Sequence, residues 1–229
     1  MLNVYNIGLA SINASMRGGF MRRRDLLSMI LCFGTAHYLK AATIALSPMT
    51  PQGKLMRVYV NNPTRIIQHC ELWCWAASIA MIFQSHGHQL DQDVIVRRSI
   101  NSNMAICTTG TTTTMGNNLS QAWVDSQGIH FNSQVVAAYD IFNGILAINN
   151  SVLVNELAND RPLLYANKSH AMVIVSVDYI ATPMGPDVKA VGVLDPWPAS
   201  PAFHYLSPKE IYPAHMGGDM TFLAAVHTT

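Results

Sequence analysis

Two apolar, β-branched runs constrain the fold of this chain more than any other feature: Ala171-Met172-Val173-Ile174-Val175-Ser176-Val177 and Val191-Gly192-Val193-Leu194. Both read as buried strands. The link over residues 180–187 carries Pro183, Gly185 and Pro186, which suits a turn. A hairpin built this way brings the start of its first strand beside the end of its second. His170 leads the first run and Asp195 closes the second, so the two become neighbours at one end of a sheet. In that geometry a carboxylate orients an imidazole.

A base so oriented needs a nucleophile, and the segment Gln68-His69-Cys70-Glu71-Leu72-Trp73-Cys74-Trp75-Ala76-Ala77-Ser78 supplies a candidate. A cysteine is a strong nucleophile only as the thiolate. The residues after Cys74 carry a helical stripe, Ala76, Ile79, Ala80 and Phe83, with Gly87 as the stop. Cys74 then sits in the first turn of a helix, where unpaired N–H groups and the dipole favour negative charge. Gln68 lies far enough upstream to loop back, so that its amide and the Cys74 N–H form a pair of oxyanion donors. A cysteine at a helix start is more often inert packing. Gln68, the Trp-Ala-Ala-Ser tail and the downstream His170 and Asp195 reverse that reading.

Gln-x5-Cys followed by Trp-Ala-Ala-Ser, a histidine leading an apolar strand, and Asp195-Pro196-Trp197 resemble the three catalytic segments of the papain-like cysteine peptidases, and most of all their compact bacterial members. The resemblance runs from Gln68 to the C-terminus. It implies an α+β, two-lobed fold, with a helical lobe followed by an antiparallel sheet lobe. It also implies hydrolysis of a protein or peptide substrate by Cys74, His170 and Asp195, with Gln68 at the oxyanion and no cofactor. Other thiol acyl-transfer enzymes (amidases, deamidases, transglutaminase-like enzymes) use the same groups, and a non-enzymatic binding domain is the remaining alternative. Three departures stand out. Glu71 replaces the cysteine that larger relatives carry three residues before the nucleophile. The third residue is Asp195 rather than asparagine. The separation from Cys74 to His170 is 170 − 74 = 96 residues, against roughly 130–150 in papain itself.

Composition narrows the function. A net charge of +1 gives no electrostatic case for nucleic acid, and 50% hydrophobic residues against 12% charged argue for one well-filled core. The start of the chain reads differently. Met21-Arg22-Arg23-Arg24-Asp25-Leu26-Leu27 precedes a mostly apolar stretch, as in a twin-arginine-like export leader covering residues 1–45, with Met21 a candidate true start. Cleavage after Ala41 or Ala45 would release a domain over 46–229 without a stable membrane segment, periplasmic or secreted. A buried N-terminal helix or an uncut anchor are the other readings of the same stretch. Of four cysteines, Cys32 leaves with such a leader. Cys70 and Cys107 are then either a disulfide or two reduced, small hydrophobes. His86-x-His88 lacks HExxH or paired CxxC ligand spacing, so no metal is expected, and both histidines read as solvated cations at a helix end.

The remaining elements follow from local pattern. A short strand is expected over 55–60 and helices over 74–85, 91–100, 119–126 and 152–159. Strands are expected over 163–167, 171–180, 188–194 and 220–226. The threonine-rich run over 108–116 reads as a loop.

Overall fold

The computed structural model describes residues 45–50 and 53–229, with side chains from residue 53 onward. Apart from Ala45, the expected leader and its cleavage sites lie outside the described residues. Strands β1 (Ala45–Thr50) and β2 (Gly53–Tyr59) come first. Helices α1 (Cys74–Ser85), α2 (Gln92–Ser99) and α3 (Thr112–Asn118) follow. Then come β3 (Ala122–Val124), β4 (His130–Asp140), β5 (Ile145–Leu146) and α4 (Asn150–Ala158). The chain continues through β6 (Leu163–Asn167), β7 (Ala171–Thr182), β8 (Gly185–Leu194) and β9 (Phe203–Tyr205). It ends with α5 (Pro208–Ile211), a 3-10 turn at Ala214–Met216, and β10 (Met220–Thr228). This is an α+β architecture with antiparallel pairing between its strands.

Strand β7 is the spine of the sheet. Along residues 173–182 it pairs with β8. A strand has two edges, so its other partners must share the second one: β6 opposite residues 171–174 and β2 opposite 176–180. From β6 the sheet continues through β10 and β4 to β3. Residues 171–180 are all buried, which is why their sequence is apolar without alternation. The β7–β8 turn closes tightly at Thr182↔Gly185, where the Thr182 hydroxyl donates to the Gly185 carbonyl at 2.7 Å.

Helix α1 packs on β6 and β7 from one side and on α2 and α3 from others. Trp75 through Phe83 are buried without interruption, so the helix is apolar all round, as a central helix must be. Phe83 joins it to the far sheet edge, with its ring 5.9 Å from that of Trp123 and 5.2 Å from that of Phe131. Tilted and edge-on pairs of this kind add about 0.5–1.5 kcal/mol each beyond the area they bury.

Two expected elements differ. The run over 108–116 is not all loop. The Thr111 hydroxyl accepts the Thr114 N–H at 3.1 Å, and that N-cap starts α3 at Thr112. The expected helix over 119–126 is instead β3 and a turn. The Asp125 carboxylate accepts from Gln127 N–H and Ile129 N–H, both at 2.9 Å, and Gly128 takes φ +80°. An Asx turn with a left-handed glycine reverses the chain into β4. Strand β1 and strands β3 to β5, which lie between α3 and α4, add to the expected set, so the helical and sheet portions are less segregated along the chain than expected.

Candidate active site

Cys74 is the first residue of α1, His170 immediately precedes β7, and Asp195 immediately follows β8. The register Val173↔Leu194 carries the last two to the same end of the sheet, as the hairpin argument requires. His170 Nε2 meets Asp195 Oδ1 at 2.6 Å. Cys74 lies close enough to the same imidazole to help raise its pKa. With Nε2 engaged by the carboxylate, the nitrogen left for sulfur is Nδ1. Cys74 and His170 open on one cleft of about 760 Å³, walled by Trp75, Thr109–Thr113 and Phe142.

Burial alone would depress the His170 imidazole. Hydrogen bonds to Asp195 and Cys74, with the attraction of their negative charges, carry it up to about 9 instead. Burial pushes the Asp195 carboxyl the other way. Its bonds to His170 and to the Trp197 N–H, the latter at 2.8 Å, outweigh that and hold it below the usual carboxylate range. Asp195 is 3% exposed. A carboxylate taken that far from water remains charged only when its lone pairs are met, as here.

Two other features prepare the site. Helix α1 follows its N-cap Trp73 without a side-chain cap, and among the described hydrogen bonds the N–H of Cys74, a residue lining the cleft, donates to none. The turn before β7 is set by Asn167, whose side-chain oxygen accepts from Ser169 N–H at 2.9 Å and His170 N–H at 2.8 Å. Sequence reasoning missed Asn167, although an asparagine opening Asn167-Lys168-Ser169-His170 is a turn signal.

The Gln68 side chain sits differently from expectation. It is 6% exposed. Its Nε2 donates to the Cys70 and Glu71 carbonyls, each at 2.8 Å, while its Oε1 meets no partner in the described structure. In this arrangement the amide braces the loop ahead of Cys74 and does not line the cleft.

That loop is also tied to the cleft wall. Cys70 and Cys107 form a disulfide with Cα atoms 5.9 Å apart, which decides between the two readings of these cysteines. The indole N–H groups of Trp73 and Trp75 donate to the Ile106 and Thr108 carbonyls at 3.1 and 3.2 Å. Both tryptophans are buried, as packing residues beside the thiol.

The expectation for His86 needs correction. Burial, and then the nearby His227 and Arg161, push its imidazole down to about 4, so it is a neutral group and not a solvated cation. His88 stacks on Phe131 with ring centroids 3.9 Å apart and lies 3.4 Å from the Asp125 carboxylate. Among the described residues, the cluster able to hold a cation is His69, Asp91 and Asp93, on the surface away from the cleft. Asp91 there already caps α2 through the Asp93 N–H.

No curated protein matches the sequence. The family model for the Peptidase_C39 like family matches residues 57–210, a span that holds Gln68, Cys74, His170 and Asp195. The chain therefore belongs to the Peptidase_C39 like family, consistent with a papain-like cysteine peptidase.

Proposed function

We propose that this protein is a cysteine peptidase that hydrolyses peptide bonds through Cys74, His170 and Asp195. The observation that carries the reading is one imidazole bonded to a buried carboxylate at 2.6 Å, with a free thiol beside it in the same open cleft. The thiolate attacks the substrate carbonyl and forms a C–S bond. The resulting oxyanion lies against the uncapped start of α1, where the Cys74 N–H donates to it. A Gln68 contribution to the oxyanion requires its amide to release the Glu71 carbonyl and turn toward the cleft. Removing single donors of this kind costs about 3–4 kcal/mol elsewhere. The imidazolium gives its proton to the leaving amine. Water then attacks the thioester with His170 as base, which releases the acid and restores the thiol. Asp195 keeps the ring in one tautomer throughout. Side chains, one backbone N–H and a water molecule supply this chemistry.

The α1–α3 layer and the sheet then act as two lobes around the substrate. Export fits the same reading: the Cys70–Cys107 disulfide supports an oxidising compartment, and the basic-then-apolar N-terminus supports a leader. No helix among the described residues is long and apolar enough to cross a membrane.

The test is twofold. A thiol-reactive epoxide should label the wild type at Cys74 and leave Cys74→Ala unlabelled. New peptide N-termini should appear in a proteome treated with wild type and not with Cys74→Ala. Labelling without new termini, but with released ammonia or cross-links, would redirect the assignment to amidase, deamidase or transglutaminase-like chemistry. A wild type that resists labelling would end it.

A further inference from the structure

The lead-in before α1 contains an arginine that the catalytic scheme has not used. Arg65 reaches across 130 residues of sequence, and its Nε donates to the Asp195 carbonyl at 2.5 Å. Its second terminal nitrogen donates to the Trp197 carbonyl and to the Ser200 carbonyl, the latter at 3.2 Å. From the same lead-in, the Gln68 N–H donates to the Pro196 carbonyl at 3.0 Å. The loop that begins with the catalytic carboxylate is thus held through the carbonyls of Asp195, Pro196, Trp197 and Ser200 by two residues of one segment. Among the described salt bridges, none pairs Arg65 with a carboxylate. Its donors serve backbone oxygens of this one loop.

The loop needs such a hold. β8 ends at Leu194, and one further backbone bond, from the Asp195 N–H to the Ala202 carbonyl at 3.1 Å, carries the pairing onto Asp195 but not onto Pro196 or Trp197. Beyond it the Asp195 carboxylate has to face His170 and the Trp197 N–H together. A planar guanidinium with several donors in fixed directions can satisfy three carbonyls at once. An ammonium carries the same charge without that fork.

We propose that Arg65 is a positioning residue for the catalytic carboxylate, fixing the Asp195–Ser200 loop so that Asp195 meets His170 in productive geometry. It touches neither substrate nor the reacting atoms. It acts through Asp195, and removing it should matter only while Asp195 is there to be positioned.

The proposal rests on the peptidase reading for turnover, so the test includes a measurement that does not. Arg65→Lys retains the charge and Arg65→Gln removes it; both are made in the full chain, alone and combined with Asp195→Ala. His170 is titrated by NMR, iodoacetamide alkylation is followed at Cys74, and hydrolysis of casein is measured. The groups facing or sharing the cleft with His170 are Asp195, Cys74, Glu71 and Lys168, the last paired with Asp219 at 2.8 Å. These stay unchanged in Arg65→Lys, so a shift there reports carboxylate geometry.

In Arg65→Lys the His170 midpoint should fall from about 9 toward 6.5. Casein kcat should drop roughly tenfold or more, the scale of effect when a remote change misplaces a catalytic group, with KM within about twofold. On the Asp195→Ala background the same substitution should change alkylation and turnover by less than about twofold. A His170 midpoint left near 9 in both Arg65 variants, or an equal loss with and without Asp195, would overturn the proposal. Should Arg65→Gln fail to fold, Arg65→Lys decides. A wild type that leaves casein intact would count against the peptidase reading, while the titration still judges Arg65.

Discussion

Replacing Asp195 with asparagine preserves the size of the side chain and removes its charge. His170 then loses the strongest of the interactions that raise it, while burial, which lowers it, stays. Its midpoint should fall from about 9 to the ordinary 6.5 or below. At pH 7.5 the imidazolium fraction would go from roughly 97% to roughly 9%, a loss of about tenfold from ionisation alone, before any loss of ring orientation. The alkaline limb of kcat/KM and of iodoacetamide alkylation at Cys74 should move down with it, and part of the activity should return at pH 6. Stability follows the same pair. A histidine raised in the folded state contributes stability below pH 6.5 that fades as pH rises through about 9. The full shift, 9 − 6.5 = 2.5, corresponds to about 3 kcal/mol, so Asp195→Asn should destabilise by up to that amount at pH 6 and far less at pH 10. Chemical denaturation at both pH values measures this. An alkaline limb that stays near 9 in Asp195→Asn, or a penalty equal at pH 6 and pH 10, would refute the reasoning.

Three further outcomes follow from the cleft. Cys74→Ala should abolish casein hydrolysis while shifting the melting temperature by no more than about 2 °C, since the side chain is small and partly exposed; differential scanning fluorimetry checks the second half. Opening the Cys70–Cys107 link, by Cys70→Ser with Cys107→Ser, frees a loop of sequence separation 37, worth about 4 kcal/mol in the chain-entropy account. Urea unfolding should show that loss, and the wild type under reductant should match it. In Gly110→Ala the added carbon would stand 2.5 Å from the Trp75 ring, so the indole beside the thiol must move. Casein kcat/KM should fall at least tenfold, with a red-shifted tryptophan emission as the structural readout.

The sequence made the site more legible than the fold around it. His170 and Asp195 could be paired because two β-branched runs and a proline-glycine link read as one hairpin, and β7 and β8 form it, with two register shifts along its length. α1 and the Asp91 cap of α2 were equally readable, because helix stripe and cap are local signals. α3 was hidden by threonine, a poor helix former that here also supplies the cap. β4 was hidden because its alternation fades. Phe131 and Ser133 point inward, and then Ala138, Tyr139 and Asp140 are all buried as the strand passes between β10 and β5. The orientation of the Gln68 amide lay beyond sequence altogether. It depends on two backbone carbonyls of a loop whose path the disulfide helps to set.

Because β2 fills the half of the β7 edge opposite residues 176–180, the segment ahead of the nucleophile belongs to the folded body and cannot serve as a detachable propeptide. A maturation protease that cut between Tyr59 and Cys74 would sever β2 from α1, and one that cut between Gln68 and Cys74 would also sever Arg65 and Gln68 from that helix. Any zymogen clipping compatible with an active enzyme has to fall upstream of Gly53.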